Sequence, residues 1–169
     1  MQRPIVLLLA ASVLAWGPLA ARAQDSSLQL RSLAWSGEQS GLRLRLDLRL
    51  AEEPLQALEQ GVALPFVIEW RACPERCGPI VGVQRLELRH APLLQRYLLW
   101  IEDQPPRQFA FRAALFGAFE QPPALSMPRH SGWQVRVRLE HAKLPAPLRL
   151  PARLQQVWQL DSGWQEAPS

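Results

Sequence analysis

The chain is short of cysteine, lysine and long apolar runs: it has two cysteines and a single lysine, Lys143. Its longest apolar run, Ile5 to Ala15, falls well below the roughly 20 residues that span a bilayer. Two cysteines without a second Cys or His pair at ligand spacing argue against a zinc site. The shortage of lysine means that the high isoelectric point comes almost wholly from arginine, a bias that points to GC-rich coding more than to anion binding. Missing too are a Gly-x-Ser-x-Gly nucleophile motif, a phosphate-cradling glycine loop, a calcium loop and a nucleotide motif. No internal repeat or linker divides the chain.

What is present begins with an export signal. Arg3 gives a positive start, Ile5 to Ala15 is apolar, Gly17 and Pro18 break any helix, and Ala21-Arg22-Ala23 offers small residues where a signal peptidase reads. Residues 1–23 are therefore expected to be a signal peptide cleaved between Ala23 and Gln24. The protein is expected to be exported, periplasmic, and not lipid-anchored, since no cysteine follows the cleavage site. Residues 24–169 then form one β-rich domain, large enough for a true core. Without Arg3 and Arg22 it carries 17 basic against 15 acidic residues. Nucleic acid is not an expected partner of an exported protein.

Cys73 and Cys77, in Cys-Pro-Glu-Arg-Cys, are expected to form a disulfide in an oxidising compartment. The loop it closes is short, so its stabilisation falls at the low end of about 2–4 kcal/mol. Active dithiols more often have two intervening residues at a helix start, which argues against thiol-redox chemistry.

Alternation is clearest in GLRLRLDLRL, residues 41–50, where leucine at every second position defines a buried strand face and Arg43, Arg45, Asp47 and Arg49 a wet one. Leu28 to Trp35 alternates less clearly and is expected to pair with it as a hairpin. Further strands are expected at 64–71, 83–89, 95–102 and 133–140, with a last one within 154–164. Both sides of 95–102 are apolar, which implies cover on both faces. Pro54 to Gly61 reads as a short helix, with proline in its first turn. Phe109 to Gln121 reads as a second, packed on the sheet by Phe111, Leu115 and Phe119. Leu144 to Pro151 is rich in proline and is not expected to be regular throughout. The pattern predicts an antiparallel β-sandwich, immunoglobulin-like in outline, with two short helices. The alternative is an α+β fold with one antiparallel sheet covered by a helix.

Candidate chemistry is sparse. His90, His130 and His141 show no paired metal spacing, and Ser131 beside His130 lacks the context of a nucleophile. Glu52-Glu53 and Glu102-Asp103 sit where elements end, as solvated carboxylates do. No catalytic residue, metal or cofactor is expected. The outward arginines Arg43, Arg45, Arg49, Arg85, Arg89, Arg136 and Arg138 would form one cationic face if their strands shared a sheet. Such a face would take phosphate or carboxylate groups from a lipid or an acidic partner. The interspersed Asp47, Glu69, Glu87 and Glu140 favour mutual neutralisation instead.

Gly61 to Glu69, GVALPFVIE, and Leu160 to Trp164, LDSGW, resemble a proteobacterial family of small exported proteins classed as a domain of unknown function. The order of a Leu/Arg strand, short helix, apolar strand, second helix and Trp-containing tail extends that resemblance over the chain from residue 24. The Cys73–Cys77 pair departs from it. The resemblance implies no catalytic residues. It does imply an association with membrane sensor histidine kinases, beside which such proteins are often encoded. The first expectation is thus a non-catalytic interaction module in envelope signalling. It would bind the periplasmic part of a sensor kinase through the arginine-lined face or an exposed sheet edge. The second is a carrier or sensor of a small amphipathic ligand or lipid, enclosed by 109–121 and 95–102. The third is a hydrolase or thiol-redox enzyme.

Overall fold

The computed structural model describes residues 25–37, 41–129 and 132–168. The expected signal peptide, His130 and Ser131 lie outside them. Among the described residues, nine strands form two sheets in which every pairing is antiparallel. The first sheet joins β1 (Ser27–Trp35), β2 (Gly41–Arg49) and the short β7 (Leu125–Ser126) in the order β1-β2-β7. As the alternation requires, Leu42, Leu44, Leu46 and Leu48 of β2 are buried and its arginines exposed. The mixed pattern of β1 has a local cause. A bulge between Leu30 and Ser32 reverses its side-chain parity, so Leu28 and Leu30 face the core before it and Leu33 and Trp35 after it.

The second sheet has six strands: β3 (Leu64–Ala72), β4 (Ile80–Ala91), β5 (Arg96–Ile101), β6 (Arg107–Phe109), β8 (Trp133–Leu139) and β9 (Gln165–Glu166). Their order is β6-β5-β4-β3-β8-β9, with β3 and β4 at the centre. The inward residues of both sheets belong to one hydrophobic cluster, filled by Phe66, Ile68, Leu86, Leu88, Leu99 and Val137 and by the helices. The architecture is a β-sandwich-like α+β fold.

The helices are α1 (Glu52–Glu59), α2 (Arg112–Phe119) and α3 (Ala146–Leu154). Four expectations need correction. The second helix is shorter than 109–121, because Phe109 pairs with Tyr97 in the sheet. Phe111 is extended just before the helix and largely exposed, so Leu115 and Phe119 are its buried anchors, Phe119 against the Phe66 ring at 4.8 Å. Strand β5 is covered on one face only. Leu99 and Ile101 are buried under α2, whereas Trp100 on the other face is 42% exposed. A third helix joins the two expected: Leu144 and Pro145 stay outside regular structure, but Ala146–Leu154 is helical, with Pro147 in the first turn, where its missing N–H costs nothing, and Pro151 within it. The last expected strand is replaced by a 3-10 turn at Gln156–Trp158, a single bridge between Arg138 and Asp161, and β9. Fully buried Trp158 turns that segment into the core and ends any regular pairing.

Candidate functional site

The seven arginines do not share a sheet. Arg43, Arg45 and Arg49 stand on β2 in the three-stranded sheet, while Arg85 and Arg89 on β4 and Arg136 and Arg138 on β8 belong to the six-stranded one. Each sheet turns its arginines away from the common core, so one continuous cationic face is not formed.

On the six-stranded sheet most of this charge is neutralised locally. Register places Glu69 of β3 beside β8, and its carboxylate, 5% exposed, accepts from the Arg138 guanidinium at 2.6 and 3.2 Å. Asp161 accepts from Arg136 Nε at 2.8 Å, and Arg85 donates to Glu102 at 2.8 Å. The Glu69 and Asp161 partners hold the Arg138 and Arg136 guanidinium groups above their ordinary range, against the opposing effect of burial. Burial pushes the Asp161 carboxyl up, but hydrogen bonds from Arg136 and the Gly163 amide, with the nearby arginine charges, bring it below the usual value. The Arg71 and Arg136 guanidinium groups lie 4.1 and 5.9 Å from the centre of the Trp164 ring. Among the described residues, Arg43, Arg45 and Arg89 have no carboxylate within ion-pair distance, and Arg49 reaches Asp47 at 3.6 Å.

Three other features of the six-stranded sheet were not singled out by the sequence. An open groove of about 400 Å³ lies between Trp100 and Lys143, with Pro65 and Glu87 among its lining. Across it, Glu140 faces Lys143 at 3.1 Å and Arg85 at 3.9 Å. The second feature is an open strand edge. β5 pairs with β4 only from Leu86 to Ala91, and no strand among the described residues pairs with Ile80–Gln84 on that side. Pairing ends at Glu102, whose amide donates to the Arg85 carbonyl at 3.0 Å and whose carboxylate accepts from the Arg85 amide at 3.3 Å. By antiparallel alternation the amide and carbonyl of Val83 are the next to face outward along this edge. Ile80, Val81 and Val83 are exposed there. The third feature is the β4–β5 turn, Pro92–Leu94, where Leu93 is 100% and Leu94 64% exposed.

The cysteine pair sits beside the open edge. Cys73 and Cys77 are joined by a disulfide in the exposed β3–β4 connection, and among the described residues no cysteine is free. Gly82 supports the same end from within. A Cβ there would stand 2.2 Å from the Trp70 ring, so the indole lies directly on the glycine. The two described histidines, His90 and His141, bond to nearby backbone carbonyls. His90 Nδ1 donates to the Glu59 carbonyl at 2.8 Å and stacks on Tyr97, and His141 Nε2 donates to the Trp158 carbonyl at 2.9 Å. Glu52 and Glu53 bond to Gln56 and to the Trp158 indole. Between α2 and β5, where a ligand cavity was expected, Leu99, Leu115 and Phe119 are fully buried in the core.

The uncharged run Ile80-Val81-Gly82-Val83 and the pair Leu93-Leu94 after Pro92 are visible in the sequence. What marks them is their exposure, which depends on where the neighbouring strand stops. A protein-family model described as a domain of unknown function, DUF4390, matches residues 23–168. No curated protein and no solved structure matches the chain.

Proposed function

The chain belongs to the DUF4390 family, and we propose that it is a non-catalytic interaction module of the cell envelope that binds a partner by strand addition along the open edge of β4. The observation that carries this reading is the edge itself, five residues of a central strand left without a strand neighbour on one side, with Ile80, Val81 and Val83 exposed along it. Exposed sheet edges usually carry charge, proline or cover that blocks pairing with another chain. This one carries no charged residue from Ile80 to Gln84. An extended partner segment would gain main-chain hydrogen bonds to Val83 and apolar contacts at alternate positions. The paired arginines and carboxylates on the adjoining face, with Trp164 over Arg71, would then form a polar rim. The export signal and the family resemblance favour the periplasmic part of a membrane sensor kinase as that partner.

The test is photo-crosslinking in living cells with the reactive residue at Val81 or Val83, compared with positions 43 and 45 on the other sheet. Capture of the outer portion of a signalling protein from β4 alone supports the reading. Capture only from positions 43 and 45 moves the interface to the arginines of β2. No capture from any position sinks the module.

A further inference from the structure

We propose that the β4–β5 turn is a second contact surface, one that rests on membranes rich in anionic lipid headgroups. It is independent of the strand edge, which lies at the other end of β4. The turn is stiff. Pro92 fixes its start, and Gln95 closes it in the left-handed conformation at φ 49°. Leu93 therefore projects wholly into water, with Leu94 beside it. Largely exposed Phe111 comes out at the same end of the sheet, two residues beyond the Phe109–Tyr97 pair. Two large apolar side chains held on a convex tip, with a third beside it, suit insertion between headgroups better than burial against a flat protein face.

The charge around the tip completes the match. Arg89 and Arg96 flank it, both exposed and neither with a carboxylate within ion-pair distance among the described residues. Arg96 Nη1 donates to the Gln95 carbonyl at 3.2 Å, which keeps that guanidinium at the turn. Glu59, a carboxylate at this end, is already engaged by the Tyr97 hydroxyl at 2.8 Å and by Arg112 at 3.2 Å. Glu87 stands further along the sheet, opposite Trp100. An apolar hollow of about 480 Å³ runs from the turn to Gln60 and Gly61, with Leu98 and Arg89 in its lining. Arginine beside exposed leucine is the pairing that binds an anionic bilayer surface, the cation to phosphate and the side chain to the acyl boundary. No helix among the described residues is long and apolar enough to cross a membrane.

The experiment is co-sedimentation of the protein, as cells produce it, with phosphatidylglycerol/phosphatidylcholine vesicles and with phosphatidylcholine alone. We expect binding to the anionic vesicles at least tenfold tighter than to the neutral ones, weakening as salt rises. Leu93→Glu with Leu94→Glu should lose it at least tenfold, and Arg89→Gln with Arg96→Gln severalfold. These side chains are exposed, so an unchanged melting temperature is expected and should be checked. An environment-sensitive fluorophore on Leu93→Cys should also shift to the blue with anionic vesicles only. The proposal is overturned by equal binding to both vesicles, by a Leu93→Glu/Leu94→Glu variant that binds like the parent, or by a fluorophore that does not shift. Since Val81 and Val83 are untouched throughout, loss of vesicle binding and loss of strand-edge crosslinking can be told apart.

Discussion

The two halves of β4 have the same backbone and opposite surroundings. From Leu86 to Ala91 the strand is held between β3 and β5, and Leu86 and Leu88 are buried in the shared core. From Ile80 to Gln84 it keeps β3 on one side and has no strand neighbour on the other. How much of a strand's edge stays open is thus set less by its own residues than by where its neighbour ends. Here that point is Glu102, which uses its amide and then its side chain to close the ladder at Arg85.

The largest effect should come from the enclosed half. Leu88→Ala should cost about 2–5 kcal/mol of unfolding free energy, as truncation of a fully buried leucine does. Val83→Ala on the open edge should change it by no more than about 0.5 kcal/mol. Denaturant unfolding of both variants measures the contrast, and equal losses would erase it. Gly82→Ala comes next. Its added methyl collides with the Trp70 ring and should cost about 1–3 kcal/mol, with a changed near-ultraviolet dichroism from the displaced indole.

Glu102→Ala should push the boundary between the halves one residue along the strand. The Arg85 amide loses its carboxylate acceptor, so its hydrogen exchange should quicken while that of Leu88 holds, for about 1 kcal/mol of stability. Protection at both sites alike would mean that Glu102 does not set the boundary. The smallest effect is the acid response on the far side of the sheet. The folded value of Asp161 lies below its ordinary 3.8, so its contribution is fully present above about that pH. It is lost as the pH falls through the lowered folded value. Asp161→Asn should therefore flatten the acid limb of the stability curve, which thermal melts at stepped pH would register, and leave both halves of β4 in place.

Much of the fold was legible because alternation is a local property. The leucines of 42–48 and the apolar positions of 133–139 had to face inward in any strand, and they do. The reading failed where tertiary contacts overrode the pattern. Trp100 looked buried because both faces of β5 are apolar, yet α2 covers only one. Trp158 looked like part of a strand, yet its full burial turns the chain into a 3-10 turn. The candidate site was less legible. The seven arginines were identified as outward-facing, but their division between two sheets follows from long-range pairing that no local window contains. The open edge and the Leu93–Leu94 tip were missed because an apolar residue in an antiparallel strand or its turn is ordinarily read as core.

By itself the sequence determined which side of each regular strand is apolar, that the cysteine pair closes a short loop, and that the architecture is mainly β. These follow from side-chain periodicity and from spacing along the chain, and neither needs a distant partner. The tertiary structure decided which strands are neighbours, which guanidinium groups find carboxylates, and which apolar side chains stay in water. Those depend on loop closure between segments tens of residues apart, where one strand stopping at Ile101 leaves five residues of another without a strand on that side.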